Sequence, residues 1–94
     1  MEDRPEFDWD TANVGHLAGH NVLPSEADEA ILDPNAIMLE IQYEDEERVK
    51  SVGTTNGGRI IEVIFTFRGE AIRPVTAFDA AKRPERLYLE GTRK

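Results

Sequence analysis

The stretch from Arg59 to Arg68 constrains the fold of this chain more than any other. Ile61, Val63, Phe65 and Phe67 alternate there with Ile60, Glu62, Ile64 and Thr66, a period of two that belongs to an extended strand. Both alternating sets are largely apolar, so both faces of the strand need cover, and the strand takes a central place in a sheet. Its neighbours lie on either side in the sequence. Asn56-Gly57-Gly58 is a tight-turn signal, because Asn and Gly tolerate positive φ, and it leads back to a strand over Arg48 to Thr54. Arg68-Gly69-Glu70 turns the chain into a further strand over Ala71 to Ala77, where Pro74 lacks an N–H and predicts an edge position or a bulge. Ala36 to Tyr43 supplies another strand, with Ile37, Leu39 and Ile41 on one face and the acidic run 44–47 as a solvated connection behind it.

Helices occupy the two ends. Phe7-Asp8-Trp9-Asp10 alternates apolar and acidic residues like a short half-buried strand, after which Asp10 caps a helix over Thr11 to His20 with Asn21 at its C-cap. A second helix runs from Pro24 to Leu32, carrying Glu26 and Asp28 near its positive end and Ala27, Ala30 and Ile31 inward, and Asp33-Pro34-Asn35 ends it. The last segment, Asp79 to about Glu90, is helical, with Asp79 a candidate cap; either the helix starts late, with Pro84 in its first turn, or an earlier turn ends at Arg83. The order β-α-α-β-β-β-β-α predicts an α+β fold: a small antiparallel sheet with two N-terminal helices and one C-terminal helix.

Ninety-four residues suit one domain over 1–94, with loose ends at 1–5 and 92–94. The absence of cysteine excludes disulfides, thiolate metal sites and a cysteine nucleophile. No apolar run is long enough to span a bilayer and the first residues lack a signal peptide's pattern, so the chain is expected in the cytoplasm. The net charge of −8 is unevenly spread, with fourteen acids and one base in residues 1–47 against five acids and ten bases in 48–94. Local field rather than total charge steers a polyanion, so the basic second half is a possible RNA surface as well as plain solvated charge.

Chemistry has few places to reside. His16 and His20, at i and i+4, share a helix face. A catalytic zinc needs a third ligand and no His-Glu-x-x-His motif is present, so no metal and no other cofactor is expected. The pair then reads either as satisfied polar residues on the sheet or as an acid–base or RNA-binding pair. Arg59, Arg68, Arg73, Lys82, Arg83 and Arg86 form a second constellation. Metal-free RNA cleavage needs a base for the 2′-hydroxyl, an acid for the leaving oxygen and cations for the developing charge. His16 or His20, Glu85, Tyr88 and the arginines have the right chemistry, and solvated charge explains the same residues with less assumption.

The ordered set of motifs resembles the BrnT family of bacterial toxins. Phe7-Asp8-Trp9-Asp10 followed by Asn13, His16-Leu17-Ala18, His20, Val22, Pro24 and Glu26 is similar to that family's N-terminal signature. Glu47-Arg48, Val52-Gly53-Thr54-Thr55 and Gly57-Gly58-Arg59 resemble its strand pair with a Gly-Arg turn. Arg68-Gly69, Ile72-Arg73-Pro74-Val75-Thr76-Ala77, Lys82, Glu85-Arg86 and Tyr88 resemble its last strand and closing helix, so the likeness covers about residues 6–90.

The resemblance implies a RelE-like fold and a ribonuclease toxin of a type II toxin–antitoxin system, held inactive by a cognate antitoxin of BrnA type that carries the DNA-binding domain. The functional side chains it implies are His16, His20, Arg59, Arg73, Glu85, Arg86 and Tyr88, and exposed Arg59, Arg73 and Arg86 offer an antitoxin a docking surface. The chain departs from the family where Ala77-Phe78 replaces an Ala-Arg pair and where Gly19 and Asn21 flank His20 in place of a basic residue and glycine. These departures define a second reading, a catalytically silent protein-binding module of the same fold. Phe78 separates the two.

Overall fold

The computed structural model describes residues 5–92. Three helices, α1 (Thr11–Ala18), α2 (Pro24–Leu32) and α3 (Lys82–Thr92), accompany four strands, β1 (Ile37–Tyr43), β2 (Glu46–Thr54), β3 (Ile60–Arg68) and β4 (Ala71–Asp79). The strands form one antiparallel sheet in the order β1-β2-β3-β4, so the α+β expectation holds. β3 is an interior strand, as its two apolar faces require.

The register assigns the faces. Ile61, Val63 and Phe65 share one face with Gly53, Ser51, Val49 and Ala77. On it Leu17, Val22, Ala27, Ala30 and Ile31 of the α1–α2 region close the buried core. Gly53 is required there, because a Cβ would sit 2.2 Å from the Ala30 carbonyl oxygen. Ile37, Val52, Glu62 and Phe78 form a row across the opposite face, which α3 partly covers through Pro84 and Leu87.

The expected first strand shrinks to a single parallel bridge, Phe7 to Ile72, made by Asp8 N–H to the Ile72 carbonyl and Ile72 N–H to the Glu6 carbonyl, each 2.8 Å. The next ladder bond would need an N–H from Pro74, which has none. The Asn13 amide takes the place of the missing rungs: its Nδ2 donates to the Asp8 and Pro74 carbonyls at 2.9 Å each, and its Oδ1 accepts from Asp10 N–H at 2.8 Å. The same Pro74 produces the expected irregularity, a register shift between Ile64 and Phe65, on what is also an edge strand.

Other boundaries move for local reasons. α1 ends at Ala18 with Gly19 as C-cap, while Asn21 takes positive φ in the turn beyond. The acidic run is not wholly a connection, since Glu46 and Glu47 pair with Tyr43 and Gln42 in the β1–β2 ladder. Asp79 does not cap α3; it ends β4 and bonds Arg59. Thr92, expected in a loose tail, lies in α3 and donates its hydroxyl to the Leu89 carbonyl, whereas 1–4 and 93–94 are outside the described residues. Phe67 is 58% exposed at the end of β3, set edge-on to Phe65.

Candidate active site

His16 lies in α1 and His20 in the turn that follows it, held there by His20 N–H to the Leu17 carbonyl at 2.9 Å. The two imidazoles stand 6.0 Å apart, centroid to centroid. Phe78 extends the series, its ring edge-on to His20 at 6.0 Å and 63°. Three rings thus line up from α1 to the end of β4, with both histidines exposed.

One guanidinium fastens this arrangement. Arg59, just before β3, donates from Nη1 to the Asn21 carbonyl and from Nε to Asp79, each at 2.7 Å. Asn21 follows His20 and Asp79 follows Phe78, so Arg59 ties together the two chain segments that carry the facing rings. Its Nη1 also reaches Glu26 at 3.2 Å. Glu26 in turn accepts the Leu23 N–H at 3.0 Å, capping α2 from within its first turn. Asp79, and then Glu26, hold Arg59 more firmly charged than a free guanidinium against the opposing effect of burial.

Arg73 shares a surface depression with His16, Asn13 and Pro74. Its Nη1 pairs with Asp10 at 3.0 Å and with Asp8 at 3.5 Å, and Asp8 also pairs with Arg68 at 3.2 Å. The Asp10 carboxyl is held below its ordinary range first by the Asn13 backbone N–H and then by Arg73. Arg73 therefore stands beside His16 with its charge largely answered by two carboxylates.

The remaining candidates do not join the histidines. Glu85 and Arg86 line a different depression on α3 with Lys82, Leu89 and Glu90. Tyr88 is buried and donates to Asp33 Oδ2 at 2.5 Å; burial, and then Asp33, push its hydroxyl up to about 12. Asp33 also accepts backbone N–H groups of Thr54 and Asn35. Burial would raise its pKa, but Tyr88 and those N–H groups outweigh it and hold the carboxyl low. Tyr88 is thereby a clasp between α3 and the α2–β1 turn. Among the described residues no three His, Asp or Glu side chains gather as a set able to hold a metal ion.

The charge asymmetry resolves in the fold. Arg48, Arg59, Arg68 and Arg73 of the second half pair with Glu46, Glu26, Asp8 and Asp10 of the first, and Lys50 pairs with buried Glu62 at 2.8 Å. The expected docking surface of exposed Arg59, Arg73 and Arg86 is corrected accordingly, since Arg59 and Arg73 are half-buried and engaged internally. Sequence reasoning missed Asp33, Asp79 and Glu62. Only Glu62 carried a signal, as the lone charge inside the alternating apolar strand.

A family model described as "Ribonuclease toxin, BrnT, of type II toxin-antitoxin system" matches residues 9–84. The chain belongs to the BrnT family. It is thus a ribonuclease toxin of a type II toxin–antitoxin system, with RNA as substrate and an antitoxin as partner. No curated protein matches it. The BrnT match takes in His16, His20, Arg59, Arg73 and Phe78 and stops before Glu85, Arg86 and Tyr88. Among the described residues no helix is long and apolar enough to cross a membrane.

Proposed function

We propose that this chain, as a single BrnT domain of RelE-like type acting in the cytoplasm, cleaves RNA at the His16–His20–Phe78 array and is neutralised by an antitoxin of BrnA type. The observation that carries the site is the spacing of the two exposed imidazoles, 6.0 Å apart on one side of α1 and its following turn. A phosphodiester between such rings meets both catalytic needs. One imidazole takes the 2′-hydroxyl proton as that oxygen attacks phosphorus; the other, protonated, gives its proton to the departing 5′-oxygen. The products are a 2′,3′-cyclic phosphate and a 5′-hydroxyl, with no redox change and no metal in any step.

Phe78 offers an unpaired base a ring face to stack on beside the scissile phosphate. Arg73 faces the same region from β4, and Arg59 serves as a positioning residue through Asn21 and Asp79. Glu85, Arg86 and Tyr88 have no step in this scheme.

The second reading, a silent binding module, is favoured by one observation: the arginines nearest the histidines are already neutralised by carboxylates. Incubation of the purified chain with a labelled RNA in EDTA decides between them. Cleavage that is lost in His16→Ala and His20→Ala supports the ribonuclease site, and an inert chain that still binds its antitoxin supports the module.

A further inference from the structure

α3 and the sheet enclose a groove of about 300 Å³ on the face away from α1 and α2. Its walls are Ile37 and Leu39 of β1, Lys50 and Val52 of β2, and Arg83, Pro84 and Leu87 of α3. Leu39 is 60% exposed and Leu87 50%, an apolar seam left open to water. Of the two cations that line it, Lys50 is paired with Glu62, whereas Arg83 has no ion-pair partner among the described residues, like Lys82 and Arg86 of the neighbouring depression on α3. Arg48, Arg59, Arg68 and Arg73 are all ion-paired.

We infer that this groove is the seat of the antitoxin, which enters it with a segment apolar on one side and acidic on the other. The inference rests on the family's antitoxin partner and is independent of the histidine site. The apolar floor disfavours a phosphate backbone, which needs donors along its whole path. The unpaired cations disfavour a basic partner. A chain of net charge −8 repels an acidic segment from most of its surface, so the α3 cations steer that segment to this one place. Leucines fill the groove while carboxylates meet Arg83 and its neighbours.

The test is co-expression with the protein encoded by the adjacent reading frame, followed by calorimetric titration of the separated partners at low and moderate salt. Leu87→Glu should weaken binding by about thirtyfold or more, as loss of a central anchor does. Arg83→Glu should weaken it about tenfold and flatten its salt dependence. Unchanged thermal melts show that both variants fold, and Leu39→Gln provides a second, milder probe of the same floor. Wild-type affinity in Leu87→Glu and Arg83→Glu overturns the groove while leaving the toxin reading intact. Absence of any wild-type complex at low salt overturns the groove and the partner reading together. Loss of binding to a short single-stranded RNA, with antitoxin binding preserved, makes the groove a nucleic-acid surface and overturns the inference.

Discussion

His20 stands edge-on to Phe78, ring centroids 6.0 Å apart, although the two lie 58 positions apart in the chain and neither is in a regular helix. The contact survives because Arg59 grips the residue after each ring. Arg59→Lys keeps the charge but cannot spread three hydrogen bonds over one planar fork. It should lower kcat for RNA cleavage about tenfold to a hundredfold with KM nearly unchanged, the pattern of a displaced catalytic group. An unaltered kcat would show that the rings hold position without the clamp.

The Phe78 ring meets His20 edge-on. Phe78→Tyr should retain cleavage, whereas Phe78→Ala should weaken RNA binding by about 1–3 kcal/mol, the worth of one stacked base. If Phe78→Arg instead raises the rate, charge rather than stacking is what the position lacks.

Asn13 substitutes for ladder bonds that Pro74 cannot make. Asn13→Leu removes three hydrogen bonds and strands the buried Pro74 carbonyl and the half-buried Asp8 carbonyl, and urea melts should show a loss of about 2–4 kcal/mol. The core offers a parallel measure. Phe65 is 3% exposed, and Phe65→Ala should cost about 3–5 kcal/mol. A loss below about 1 kcal/mol in either variant would contradict the packing described.

The Tyr88–Asp33 clasp fixes a pH dependence. The fold raises the Tyr88 pKa from 10.0 to about 12, favouring the neutral phenol. Its contribution is therefore complete below about pH 10 and is lost as pH climbs toward 12. Asp33 runs the other way: its pKa is lowered from 3.8, so its contribution holds above that value and fades as pH falls through the depressed one. Tyr88→Phe should be about 1–2 kcal/mol less stable at neutral pH and should lose less stability than wild type between pH 10 and 12. Parallel alkaline losses in the two proteins would rule out the clasp.

How far the residues foretold this structure depends on the range of the forces involved. α2 matched at both ends because Pro24 and Glu26 mark its start and Asp33-Pro34 its end within a few positions. β3 matched to within one residue for the same reason of local pattern. Apart from small local shifts of boundaries, the failures were long-range. The first strand was cut to one bridge by a proline 67 positions from Phe7, and Asp79 was drawn from a cap to Arg59 across the sheet. The arginines looked free because the carboxylates that answer them lie in the other half of the chain. The i,i+4 spacing of His16 and His20 was legible; their alignment with Phe78 was not, since it depends on how β4 meets α1.

The most direct test of the account is the end-group chemistry and rate of RNA cleavage by the purified chain in EDTA, compared with His16→Ala and His20→Ala. The wild type should give 2′,3′-cyclic phosphate and 5′-hydroxyl ends, with each variant slower by about a hundredfold or more and folded as before. Cleavage at the wild-type rate in the two variants, or 5′-phosphate ends, would contradict the histidine mechanism.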